Sequence, residues 1–87
     1  MAEFLVEAYV SRAELSVPSN NVVSSAAAEL TREGRDVRLL GSILVREDET
    51  CFYVFEAQSG EHVMEAATRS GLQIERVVDA VLEMGVA

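Results

Sequence analysis

Three carboxylates stand on segments in which apolar and polar residues alternate, the pattern of β-strands. They are Glu7, Glu56 and Asp79, and the alternation places all three on the same face of a sheet. Carboxylates held close together shift one another's pKa, bind a cation or act as a general base. Arg38 and Arg46 fall on that face too, so ion pairing is the alternative role for these acids.

Two further groups carry side chains suited to binding. Tyr9 falls on the same sheet face and can offer its hydroxyl to a ligand, or pack there with the hydroxyl satisfied. His62 and Glu65 are three residues apart on a predicted helix, with Glu61 beside them. They can bind a transition metal weakly or share one between subunits, and the alternative is an ordinary solvated helix surface. The predicted ligand contacts are therefore Glu7, Tyr9, Glu56 and Asp79, and the weaker metal contacts are His62 and Glu65.

Cys51 is the only cysteine and the only candidate nucleophile. It is in phase with the buried side of its strand, and the acidic turn 47–49 before it would raise the pKa of its thiol. A buried structural thiol is therefore the alternative to catalysis. One cysteine and one histidine exclude an intrachain disulfide and a structural zinc site of the Cys/His type. The absence of lysine excludes Schiff-base chemistry and a P-loop, and no glycine-rich phosphate motif occurs.

The composition limits the remaining classes of protein. The 87 residues carry a formal net charge of −8, and 49% of them are hydrophobic. Such a chain suits one small domain, spanning 1–87, with a core of its own. An acidic surface without a basic patch disfavours nucleic acids and anionic membranes as partners. No signal peptide or membrane-spanning run is recognisable, and with the lone thiol this predicts a cytoplasmic location.

Strand and helix patterns follow one another along the chain. Strands are predicted over 3–10, 37–46, 50–57 and 77–84. The first helix is expected to begin near Pro18, with Ser16 as its cap, and to end before Gly34. The second is capped by Ser59 and ends at Gly71. This order predicts an α+β fold of the ferredoxin-like βαββαβ type, in which both helices cover one face of a four-stranded antiparallel sheet.

The predicted sheet has one strongly apolar face, and its other face is more apolar than a face in contact with water usually is. The more apolar set, expected to face the helices, is Phe4, Val6, Ala8, Val10, Val37, Leu39, Ile43, Val45, Cys51, Tyr53, Phe55, Val78, Ala80, Leu82 and Met84. The other face still carries large apolar residues, among them Leu5, Phe52 and Val54. A solvated sheet face is normally polar, so this one predicts an interface. We expect a homodimer in which two sheets meet around a cavity; a monomer with an amphipathic open face is the alternative.

Several stretches of the chain resemble the DUF4242 family of small bacterial proteins. The resemblance is carried by 47–57, 4–10, 37–40 with Ser42, Val63, 65–67, Arg69, 71–72 and 75–78. It spans nearly the whole chain and implies a ferredoxin-like fold that dimerises and is related to the dimeric α/β barrels. One branch of the family is described as nickel-binding, which implies a metal role, although histidines would carry such a site and this chain offers only His62.

Three functions remain open from the sequence. The first is a non-enzymatic homodimer that binds a small ligand or a metal ion, nickel included, in a cavity between its sheets. The second, implied by the relation to dimeric barrels, is a cofactor-independent enzyme of the monooxygenase or isomerase kind, with a carboxylate or Tyr9 as its base. The third is a module that docks another protein on the open sheet face.

Overall fold

The computed structural model describes residues 1–11 and 17–85, and within them four strands form one sheet on which two helices pack. The elements in chain order are β1 (Ala2–Tyr9), α1 (Asn20–Arg32), β2 (Val37–Val45), β3 (Thr50–Ala57), α2 (Gly60–Arg69) and β4 (Ile74–Ala80). The sheet order is β2-β3-β1-β4, and every neighbouring pair is antiparallel. The predicted ferredoxin-like α+β fold is confirmed.

The core lies between the helices and the inner face of the central strands. Phe4 faces Phe55 and Val6 faces Tyr53 across β1 and β3, and all four are buried. The helices cover them with small and branched side chains, namely Val23, Ala27, Leu30, Val63, Ala66 and Ala67. The buried Tyr53 hydroxyl donates to the Pro18 carbonyl at 2.9 Å. A buried tyrosine needs such a partner, and this one ties the segment before α1 to the sheet.

Both helices begin at a serine. Ser19 caps α1, and its Oγ accepts a hydrogen bond from the Val22 N–H at 3.4 Å. The cap expected at Ser16 is therefore not the one that starts this helix, and Ser16 itself lies outside the described residues. Ser59 caps α2 as predicted, with its Oγ accepting from the His62 N–H at 3.5 Å. Each serine satisfies one of the N–H groups that a first turn leaves unpaired.

A β-bulge in β2 overturns part of the predicted face assignment. Leu39 is opposite Phe55 on β3, but Gly41 is opposite Val54, so Leu40 is an extra residue in the ladder. Because strand side chains alternate, one inserted residue moves every later side chain to the other face. Ile43 therefore lies opposite Phe52, 62% exposed on the face away from the helices. Val45 lies on the same face. The prediction that Ile43 and Val45 face the helices is therefore wrong.

The fourth strand also differs from its prediction, in both its bounds and its phase. It runs from Ile74 to Ala80 and not over 77–84, because its partner β1 begins at Ala2 and the pairing ends there. Val77 is opposite Val6 and packs against the core, whereas Val78 is opposite Leu5 on the other face. The prediction that Val78 and Ala80 face the helices is therefore wrong. Leu82 and Met84 follow the strand and are 42% and 79% exposed.

The sheet face turned away from the helices is here called the open face. Its apolar side chains are Leu5, Tyr9, Ile43, Val45, Phe52, Val54, Val78 and Ala80. Its charged side chains are Glu3, Glu7, Arg38, Glu56 and Arg76. Leu5, Phe52, Val54 and Val78 lie side by side at its centre, only half-buried. The open face thus presents an apolar centre with charges around it.

No helix in the described parts of the chain is long and apolar enough to cross a membrane. The longer of the two, α1, has 13 residues, whereas a span takes about 20.

Candidate functional site

Two ion pairs occupy opposite corners of the open face. Arg38 Nη2 donates to Glu56 Oε1 at 2.9 Å, from β2 to β3. Arg76 Nε donates to Glu7 Oε2, from β4 to β1, where the two residues are direct neighbours in the ladder. Ion pairing, the alternative role of these two acids, is therefore confirmed. The partner of Glu7 is Arg76, which is neither of the two arginines predicted on this face, because the fourth strand has a different phase from the predicted one.

The three predicted carboxylates do not meet. On β1 and β3, Glu7 is opposite Phe52 and Glu56 is opposite Glu3, so Glu7 and Glu56 are offset by four residues, or about 13 Å along the strands. Asp79 is opposite Phe4, whose side chain faces the helices. Asp79 therefore lies on the other side of the sheet from Glu7 and Glu56, contrary to the prediction. A shared cation or a coupled acid–base pair among these three is not formed within one chain.

Tyr9 lies at the end of the open face beside the β2–β3 turn. It is 41% exposed, and its hydroxyl donates to Glu49 Oε2 at 3.3 Å. Glu49 has a φ of 51°, a left-handed conformation that a turn imposes on few residues other than glycine. Its carbonyl accepts from the Val10 N–H at 2.8 Å. Tyr9 also borders a surface concavity of about 340 Å³ with Gln73 and Glu75, so it is accessible and its hydroxyl is already engaged.

The predicted metal ligands on α2 are held by other partners. Glu65 Oε2 accepts from Arg69 Nε at 2.9 Å, one helical turn later. His62 Nδ1 lies 3.3 Å from the Asp36 carbonyl. Among residues 1–11 and 17–85, no three His, Cys, Asp or Glu side chains come close enough to hold a metal ion. Within these ranges, His62 and Glu65 therefore lack the third ligand that a metal site within one chain requires.

An ion-pair network joins the outer surfaces of the two helices. Arg69 on α2 binds Glu33 at the end of α1 at 2.8 Å, Glu29 at 3.3 Å and Glu65 at 2.9 Å. Arg35 pairs with Glu33 at 2.8 Å. The hydrogen bonds from Arg69 and then Arg35 lower the pKa of Glu33 to about 2. The spacing of four between Glu65 and Arg69 suggests an ion pair within α2, but the link from Arg69 to Glu29 on α1 and Glu33 at its end is visible only in the fold.

Replacing Arg69 with glutamine is expected to destabilise the protein in a pH-dependent way. The folded-state pKa of Glu33 lies below its ordinary value of 4.5, so its stabilising effect is present above pH 4.5 and is lost as pH falls towards 2. Urea unfolding of wild type and Arg69→Gln should therefore differ most near neutral pH and converge as the pH approaches 2. Arg46→Gln removes the same charge outside this network and is the control. An equal difference at both pH values would contradict the role given to Glu33.

The Cys51 thiol is buried. It is 3% exposed on the inner face of β3, and burial raises the pKa of the thiol, with the neighbouring Tyr53 hydroxyl opposing this less strongly. The thiolate, the reactive form, is therefore disfavoured. The buried structural interpretation of this residue fits its environment.

We expect Cys51 to be unreactive in the native protein. A thiol-exchange reagent such as Ellman's should release no chromophore from folded protein and one equivalent once urea unfolds it, because the sequence has one cysteine. As a control, Thr68→Cys in a Cys51→Ala background places a thiol on the exposed side of α2 and should react at once. Rapid reaction of folded wild type would show that the β3 thiol is accessible.

A groove between α1 and β2 was not predicted from the sequence. It has a volume of about 610 Å³ and lies along the helix, beside the sheet edge. On the helix, its walls come from residues 24, 27, 28, 31 and 32, which share one face at helical spacing. The small size of the first four of these is the signal in the sequence, since small side chains leave space between packed elements.

Comparison with protein-family models, curated proteins and solved structures found no match for this chain. The resemblance to the DUF4242 family therefore stays a prediction.

Proposed function

We propose that this protein is a homodimer that binds a small, mainly apolar molecule between two facing open faces. The observation that carries this proposal is the apolar centre of the open face. Leu5, Phe52, Val54 and Val78 are adjacent and half-buried in one chain, and a contiguous apolar patch of this kind is typical of an interaction surface. A second copy is the occupant to which we assign it.

The charge distribution supports a second copy as the partner. The chain carries −8 overall, so two copies repel each other across most of their surfaces. The open face holds three glutamates and two arginines, which makes it nearly neutral, and each of its two corners offers both a cation and an anion. A two-fold contact brings the same patch together from both copies, and such a patch can pair arginine with glutamate across the interface.

The shape of the open face supports space for a ligand. Gly41 lies opposite Val54 on the edge strand β2, and the position its Cβ would take has no atom within 4 Å. The missing side chain leaves a dent beside the apolar centre. Two such dents facing each other leave a cavity, and its lining is aliphatic and aromatic. Because Glu7 and Glu56 are already paired with arginines, a neutral apolar molecule suits this lining better than a cation or a proton-transfer reaction.

The test measures assembly and ligand uptake separately. Light scattering on size-exclusion fractions should give twice the chain mass at micromolar concentration. Nile red, a neutral apolar dye, should gain fluorescence with wild type and much less with Gly41→Leu. The leucine side chain fills the dent, and Gly41 does not have the left-handed backbone that requires glycine. The mass of this variant should remain that of a dimer. Ala28→Leu, in the α1–β2 groove, is the matched control and should leave the dye signal unchanged.

Either half of the proposal can fail on its own. A clean monomer at all concentrations overturns the homodimer and favours a module that docks a different protein. A dimer whose dye signal ignores Gly41→Leu overturns the ligand cavity. Uptake of nickel by untagged protein at micromolar concentration would replace the apolar ligand with a metal ion shared between protomers.

A further inference from the structure

The groove between α1 and the edge strand β2 is separate from the centre of the open face. Its volume of about 610 Å³ is within the range of about 300–1,000 Å³ in which small-molecule sites fall. The apolar residues that line it are Met1, Ala27, Ala28, Val37 and Leu39. The groove therefore offers one mainly aliphatic surface to an apolar group.

One end of the groove is charged. Thr31 near the end of α1 contacts Val37 at the start of β2, and Asn20 at the other end of α1 contacts Ser42, so helix and strand run antiparallel. Arg32 and Asp36 consequently line the end where α1 stops and β2 starts. Arg38 and Glu56 line the groove as well, but they form an ion pair with each other. The groove therefore combines an apolar wall with the separate charges of Arg32 and Asp36.

Both charges at this end lack an ionic partner. Neither Arg32 nor Asp36 forms an ion pair with any residue in 1–11 or 17–85, whereas four of the six arginines in those ranges bind glutamates. Acids outnumber arginines by 15 to seven in this chain, so an arginine without an acid is a notable feature. Arg32 and Asp36 do not pair with each other either, which leaves each able to meet an opposite charge on a ligand.

Hydrogen bonds hold the backbone of this charged end in place. Thr31 Oγ1 donates to the Val37 carbonyl at 3.0 Å and accepts from the Val37 N–H at 3.2 Å. The Asp36 carbonyl lies 3.3 Å from His62 Nδ1 on α2. The backbone between α1 and β2, which carries Asp36, is therefore held to α1 and to α2. A preorganised backbone loses less entropy when a ligand binds.

We propose that this groove binds an apolar α-amino acid. The ligand carboxylate pairs with Arg32, its ammonium group pairs with Asp36, and its side chain lies against Ala28 and Leu39. A ligand that has a carboxylate but no amine brings a negative charge near Asp36 and leaves Asp36 unpaired. A ligand that has an amine but no carboxylate brings a positive charge near Arg32 and leaves Arg32 unpaired. A zwitterion satisfies both, and an apolar side chain covers the rest of the groove.

Calorimetric titration with three matched probes tests the proposal. They are L-phenylalanine, 3-phenylpropionate, which lacks the ammonium group, and 2-phenylethylamine, which lacks the carboxylate. Phenylalanine should bind at least about tenfold more tightly than either, a difference of one charge-assisted contact. No binding of phenylalanine at millimolar concentration, or equal binding of all three probes, overturns the zwitterion site.

Variants then place the binding in this groove. Arg32→Gln and Asp36→Asn should each weaken phenylalanine binding about tenfold or more, and Ala28→Leu should block it by filling the groove. Arg46→Gln and Asp48→Asn make the same charge changes outside the groove and should bind as wild type does. Circular dichroism confirms that each variant is folded. Undiminished binding by Arg32→Gln, or a loss shared by the control variants, would show that the ligand binds elsewhere.

Discussion

Phe55→Ala will lower the free energy of unfolding by about 3–5 kcal/mol, the usual cost of truncating a buried phenylalanine. Phe55 has no exposed surface and lies in the middle of the sheet, between Phe4 on β1 and Leu39 on β2. Both helices pack against this layer, so the cavity cannot close by a local shift. A domain this small has a stability near the lower end of about 5–15 kcal/mol, and the variant should be largely unfolded under mild heating.

Urea unfolding followed by circular dichroism measures this effect, at a fixed protein concentration because assembly adds to apparent stability. Phe55→Leu is the matched control: it keeps most of the buried volume and should cost less than about 1.5 kcal/mol. A Phe55→Ala variant within about 1 kcal/mol of wild type would mean that the core between sheet and helices is loosely packed around Phe55.

Val54→Lys will convert the proposed homodimer into a monomer. Val54 is at the centre of the open face, between Leu5 on β1 and Gly41 on β2. In a face-to-face dimer the two introduced ammonium groups meet near the two-fold axis in an apolar setting, unpaired. An unpaired charge buried at an interface costs about 2–5 kcal/mol, so the dissociation constant should rise at least about thirtyfold.

Analytical ultracentrifugation over a range of concentrations measures that shift. Val22→Lys is the control, since it adds the same charge at a position on α1 that is 49% exposed and away from the sheet. It should leave the dissociation constant unchanged. If both variants remain dimeric, the chains associate through another surface; if both become monomeric, net charge and not the open face governs the assembly.

The sheet shows clearly where pattern is sufficient and where it is not. Along β1 and β3 buried and less buried residues alternate, and Phe4, Val6, Tyr53 and Phe55 are buried as predicted. On β4 both Val77 and Val78 are apolar, so either phase fits the sequence. Pairing with β1 decides that Val77 faces the core. Asp79, two residues later, lies on the same side as Val77 and therefore not on the open face.

The candidate sites divide in the same way. That Glu56 pairs with Arg38 was one of two predicted outcomes, because the two residues fall on one face of predicted neighbouring strands. That Glu7 pairs with Arg76 depends on the phase of β4, which no local signal sets. The groove with Arg32 and Asp36 arises from the packing of α1 on β2. The residue pattern of neither element predicts how far apart the two elements lie.

The sequence by itself determined the order of strands and helices, the inner residues of the central strands and the serine that caps α2. These follow from periodicity and from interactions between residues close in the chain, which are encoded locally. The tertiary structure decided the bulge at Leu40, the phase of β4, the partners of the open-face acids and the existence of the groove. Those depend on contacts between strands and helices distant in the chain, where one residue of register changes which side chains meet.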